Sequence, residues 1–120
     1  FGLVHERRLT LSREGRRLAG EERLYAAARR RRRHGAAPFA VRFHLAPAVE
    51  ATTTADGQGA LLRLRSGSVW QFRCRGGLLA VEDSLWIDGT ARPHPTVQLV
   101  ITGDTPPDGM TISWDMKRVR

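Results

Sequence analysis

The side chains with which a short chain can do chemistry are scarce here: four histidines (His5, His34, His44, His94), one cysteine and one tyrosine in 120 residues. The histidine spacings fit no compact zinc motif, and a lone Cys74 cannot close a thiolate site or an internal disulfide framework. In the alternating run Trp70-Gln71-Phe72-Arg73-Cys74 that thiol reads as a small buried apolar residue, with no local sign of a depressed pKa. Nucleophilic hydrolysis has no Gly-x-Ser-x-Gly elbow to use, and the serines lack a histidine and an acid at workable spacing. Glu82 and Asp83 are neighbours on a strand pattern, so they point to opposite faces and cannot act as a carboxylate pair. Tyr25 is the only tyrosine available as an acid or base. His44 stands out because its strand pattern is strong: it sits beside Arg42 on the face opposite Phe43 and Leu45. A histidine held on a rigid strand can ligate a metal or support a carboxylate-binding site, although a partly buried imidazole with a hydrogen-bond partner is the commoner outcome.

Charge is the second signal. The formal net charge is +8, and five consecutive arginines, Arg29 to Arg33, suggest a polyanion or nucleic acid as partner. Eleven arginines against four glutamates fall in the first 33 residues, an excess of seven, which leaves an excess of one for the other 87. The positive charge is therefore local. Only Lys117 among the 20 basic residues is lysine, a ratio that G+C-rich codon usage produces without selection for binding. No interleaved aromatic residues, groove-entering helix or nucleic-acid-binding signature accompany the run, so it reads as a solvated loop.

The elements that must position these residues have a period of two. Phe39, Val41, Phe43 and Leu45 alternate with polar or small residues, and so do Leu62 and Leu64, then Trp70, Phe72 and Cys74. Val81, Asp83, Leu85 and Ile87, then Val97, Leu99 and Ile101, then Ile112, Trp114 and Met116 continue the pattern. Turn signals separate them at Asp56-Gly57, Ser66-Gly67, Gly76-Gly77, Asp88-Gly89 and Pro106-Pro107-Asp108-Gly109. Val4 to Leu11 and Arg16 to Tyr25 predict a first hairpin around Arg13-Glu14-Gly15. Gly20 to Arg33 has too thin an apolar stripe for a helix and reads as a strand end entering a loop, 26 to 37. The expectation is an all-β fold: one antiparallel β-sandwich over residues 1–120, built from consecutive hairpins and belonging to a larger sandwich. The chain opens at Phe1 within an apolar stretch and is expected to be a segment of a longer one, so a missing signal peptide or membrane span is uninformative.

The order FGLVHERRLTLS, RRLAGEERL, PFAVRFHLAP, DGQGALLRLRSGSVWQFRCRGG, LAVEDSLWIDG, VQLVITG and TISWDMKRV resembles the C-terminal β domain of the heparinase II/III-like proteins. The resemblance implies a bacterial polysaccharide lyase, periplasmic or secreted, in which an N-terminal helical toroid packs against a β-sandwich. Such enzymes cleave uronic-acid-containing polysaccharides by β-elimination: the C6 carboxylate is neutralised, a base takes the C5 proton and the leaving oxygen is protonated. It implies no catalytic residue within this chain, and the isolated segment is expected to be inactive. It places His44 on a strand from which some relatives bind a structural metal such as zinc, with no cofactor required for the reaction. This sequence departs from that metal pattern at Ala46, where a second histidine often follows, and at Glu22, where aspartate is usual.

The substrate-binding expectation falls on Arg42, His44 and Trp86, with Arg63, Arg65, Arg73 and Arg75 extending a basic face. The expected partners are an acidic polysaccharide and the helical domain of the parent chain; no membrane contact is expected, and nucleic acid is disfavoured. The rival reading is a non-catalytic carbohydrate-binding or structural sandwich, with Trp70 or Trp86 as a stacking platform; solvent exposure of Trp86 beside polar groups would favour it. A third is polyanion or nucleic-acid binding through the Arg29 to Arg33 loop, which would show a steep salt dependence.

Overall fold

A computed structural model describes residues 3–26 and 37–120. The arginine run 29–33 lies outside the described residues. Nine strands follow one another: β1 (Leu3–Leu11), β2 (Arg17–Ala26), β3 (Ala37–His44), β4 (Glu50–Thr53), β5 (Gly59–Arg63), β6 (Val69–Arg75), β7 (Leu78–Ile87), β8 (Pro93–Thr105) and β9 (Met110–Arg118). They form two antiparallel sheets, β1-β2-β9-β6-β5-β4 and β3-β8-β7, and no helix occurs among the described residues.

The period of two does what it predicts. Phe72, Cys74, Ile112, Trp114, Ala60, Leu62 and Leu24 from the large sheet meet Val41, Leu79, Leu99 and Ile101 from the small one in a single buried core. Three rings tie the layers together. Phe43 of β3 meets Trp114 at 4.9 Å and Phe72 at 5.4 Å, both edge to face, and Phe72 and Trp114 stack at 5.7 Å. Cys74 is buried among them, and burial pushes its thiol pKa up, as expected of an inert packing residue.

Consecutive hairpins account for part of the topology: β1–β2, β4–β5–β6 and β7–β8. The remaining links change sheets, and β9 fills the slot between β2 and β6. Gly76-Gly77 is the tightest of these crossings. Gly76 takes φ +103, and a side chain at Gly77 would meet Ile101 Cγ2 at 2.7 Å and the Thr102 carbonyl at 2.8 Å. Two residues can turn the chain from one sheet into the other only without Cβ atoms. Strand β4 has no strong alternation and is absent from the sequence reading; it is an edge strand held by β5.

Inward-pointing apolar residues stand exposed at two places. On β1, Leu9 and Leu11 face inward in register but stand exposed. On β7, the expected core face holds only as far as Val81. Leu85 is 63% exposed and Ile87 59%, which corrects the reading of Asp83, Leu85 and Ile87 as core-facing. The alternation there is real, but the inner face of β7 is left open to solvent toward the β7–β8 hairpin end.

Gly20 is the packing constraint with the clearest test. It pairs with Trp114 across β2 and β9, and a Cβ there would collide with Cζ2 and Cε2 of the indole. Gly20→Ala should lower stability by about 1–3 kcal/mol through overpacking, read as a shift in urea midpoint. Gly15, at φ +70 in an open turn, meets nothing within 4 Å, so Gly15→Asn should leave the midpoint nearly unchanged.

Candidate functional site

Two groups of polar side chains are built on this frame. The first lies on the outer face of the small sheet and contains the three expected substrate-binding residues. Arg42 and His44 project from β3, Gln98, Thr96 and His94 from β8, and Glu82, Ser84 and Trp86 from β7, all on the side facing away from the core. The pairing rows are His44–Gln98–Glu82, then Thr96–Ser84, then His94–Trp86. Arg42 reaches across β8 to Glu82 at 3.2 Å, and His44 Nδ1 meets Ser84 Oγ at 3.0 Å. At the hairpin end Asp88 accepts from the backbone N–H groups of Thr90 and Arg92, from the Thr90 hydroxyl, and pairs with His94 Nε2 at 2.7 Å. Those donors, the His94 contact foremost, hold the Asp88 carboxyl well below the usual carboxylate range.

The expected basic face is divided. Arg63, Arg73 and Arg75 lie on the outer face of the large sheet, Arg65 lies in the β5–β6 turn, and Arg42 is on the far side of the sandwich. The large sheet's outer groove gathers Arg8, Arg17, Arg73 and Arg75 around Ser113. Asp115 takes Arg17 at 3.1 Å and Asp56 takes Arg73 at 2.7 Å, while Arg8 and Arg75 have no ion pair among the described residues.

The second group is centred on Glu22, which the sequence reading noted only as a departure from aspartate. It sits on the inner face of β2, wholly buried, with both carboxylate oxygens used. Oε1 is 2.6 Å from His5 Nε2 and accepts from Arg7 Nε at 2.9 Å; Oε2 accepts from Arg7 Nε at 2.9 Å and from Trp114 Nε1 at 2.8 Å. Burial is the largest single influence on this carboxyl and pushes its pKa up. Hydrogen bonds from Trp114, Arg7 and His5, with the guanidinium charge, together outweigh it and hold the pKa below the ordinary value. His5 and Arg7 alternate on β1, so both project to the same inner side, and each remains partly open to solvent. The Arg7 guanidinium also lies 5.2 Å from the centre of the Phe43 ring. The signal in the sequence was present: Glu22 occupies an inward position between Leu18 and Leu24, where an ion survives only with partners.

The residues do not fit a divalent metal. Around Glu22 the positive charge is supplied by Arg7, and the carboxylate's lone pairs are already engaged. His44 lies on the outer face of the other sheet with Ser84, apart from Glu22 and His5. Among the described residues no three His, Cys, Asp or Glu side chains converge, so the expected metal role of His44 has no ligand set behind it. Tyr25 is on the opposite face of β2 from Glu22, donating to Glu6 at 2.9 Å.

The family described as heparinase II/III-like, C-terminal, has a model that matches residues 1–115. The chain is also 34% identical over 126 aligned residues to the FtsZ-localized protein C of Caulobacter vibrioides (strain NA1000 / CB15N); the match covers 98% of this chain and 21% of that protein. This chain thus spans about a fifth of the length of that relative. No solved structure matches it.

The Glu22 network makes a pH prediction. Its carboxyl is depressed in the fold, so its contribution is fully present above the unfolded-state pKa and is lost as pH falls through the folded-state value. Glu22→Gln should cost about 3 kcal/mol at neutral pH, because it leaves Arg7 against an uncharged partner. It should also flatten the acid limb of stability relative to the native chain, as measured by urea midpoints across a pH series.

Proposed function

The chain belongs to the heparinase II/III-like family, C-terminal part, and on that premise we propose that it is the β-sandwich portion of a lyase acting on uronic-acid polysaccharides outside the cytoplasm, together with a helical domain of the parent chain. One observation carries the reading: an imidazole fixed on a fully buried carboxylate, with a guanidinium fixed on the same carboxylate beside it. In the neutral tautomer with its proton on Nε2, His5 donates to Glu22 and leaves Nδ1 as a free base. Glu22 is the positioning residue, and it stabilises the imidazolium that forms.

Arg7 binds Glu22 through Nε alone, so its terminal nitrogens have no acceptor among the described residues. They supply the charge that a uronate C6 carboxylate needs before its C5 proton becomes acidic. In the proposed step that proton goes to His5 Nδ1, its electron pair forms the C4–C5 double bond, and the C4–O4 bond breaks. The leaving oxygen takes its proton from a group outside the residues described here, since Tyr25 faces the other way. The family resemblance implies no catalytic residue within this chain; His5 is added as a candidate on the geometry.

A second reading follows from the relative. Its name says that it localises with FtsZ, and the match covers nearly all of this chain. On that reading the sandwich is retained for association rather than cleavage.

The test is the full-length parent chain on a panel of uronate polysaccharides, followed by the absorbance of the unsaturated product. Under the lyase reading the native parent is active. His5→Gln should lower kcat by about 10²–10⁴-fold with KM little changed. A parent inactive on every uronate polymer would overturn the lyase reading and favour association.

A further inference from the structure

We infer that the outer face of the β3-β8-β7 sheet is a binding platform for a neutral oligosaccharide, with Trp86 as its stacking surface. It stands independently of the lyase reading, because it lies on the opposite side of the small sheet from Glu22 and His5.

Trp86 is 42% exposed and shares its face with Ser84, Thr96, His94, Gln98, His44, Glu82 and Arg42. An indole facing water among hydrogen-bonding groups suits a pyranose ring, whose C–H face packs on the aromatic surface while its hydroxyls meet the polar side chains. A protein-docking face would continue as apolar surface. Here the exposed apolar residues of the hairpin end, Leu85 and Ile87, point to the other side of β7.

The charges on the face select the ligand class. Arg42 is held by Glu82, and the His94 ring by a hydrogen bond with Asp88. Along the rows from Arg42 to Trp86 the one arginine is paired, and Arg92, with no ion pair among the described residues, stands at the hairpin end; hydroxyl groups can donate to the carboxylates and accept from the guanidinium without breaking a charge pair. The second observation is Gln98. It is only 8% exposed, between His44 and Glu82 in the same row, and its side-chain oxygen has no hydrogen-bond donor. A buried acceptor left unpaired costs stability, and a hydroxyl between His44 and Glu82 would satisfy it once the Gln98 side chain turns outward. From that row to Trp86 is four residues along β7, about 13–14 Å, a length that fits a short oligosaccharide.

The experiment uses the full-length parent chain, titrated with cello-, xylo-, manno- and chito-oligosaccharides by calorimetry, with an oligouronate as the anionic comparison. At least one neutral oligomer should bind, with an affinity that salt barely changes. Trp86→Ala should weaken it about tenfold or more, while Trp86→Phe retains most of it. Gln98→Met should weaken it without lowering the urea midpoint, because the lost acceptor was unpaired. Absence of binding to every neutral oligomer, or binding that Trp86→Ala leaves intact, would overturn the proposal. So would a preference for the oligouronate that depends on Trp86 and disappears with salt.

Discussion

A carboxylate in the interior needs its counter-charge and its donors before the sandwich can close, and Glu22 sets that condition here. Burying the ion alone would cost several kcal/mol. The contacts that offset this come from three places in the sequence: Arg7 and His5 on β1, and Trp114 on β9, 92 residues away. The Trp114 indole reaches Glu22 by lying over the bare backbone of Gly20. One ionised side chain therefore fixes the β1–β2 and β2–β9 registers together, since a slip of one residue would turn Glu22 to the outer face and strand Arg7.

The same network explains how an arginine can stand at the rim of an apolar core. The Arg7 guanidinium uses Nε for the carboxylate and its flat face for Phe43, so it belongs to the ion pair and to the three-ring junction between the sheets. A divalent metal would need that carboxylate for itself. With a guanidinium already seated, the charge balance at Glu22 is complete without one.

Much of the fold was legible because the alternation is regular. The first hairpin, the strand carrying Val41 and Phe43, and the inward set Phe72, Cys74, Ile112 and Trp114 all follow from period two. What the period cannot tell is which strand lies opposite. Leu85 and Ile87 alternate as well as Leu99 and Ile101, yet one pair is exposed and the other buried, because coverage depends on the other sheet. Strand β4 was missed because its residues, Glu50 to Thr53, owe their conformation to pairing with β5. At the candidate sites, Arg42, His44 and Trp86 were placed by parity and do share one face. Glu22 and His5 were passed over because a charged residue at an inward position looks like an irregularity until its partners, distant in sequence, are known.

Charge tells most about function here when it is sorted by pairing rather than counted. The chain carries an excess of eight positive charges, but Arg42, Arg17 and Arg73 each have a carboxylate partner, and Arg7 is held on Glu22. Paired arginines on a surface orient neighbouring groups and contribute little long-range field. In the outer groove of the six-stranded sheet Arg8 and Arg75 have no ion pair among the described residues, and at its rim the terminal nitrogens of Arg7 have no acceptor there. The outer face of the three-stranded sheet, with Arg42 matched by Glu82 and its tryptophan exposed, is suited to uncharged ligands. The two faces of the sandwich therefore differ in the chemistry they can recognise, and that difference follows from which arginine found a carboxylate within reach.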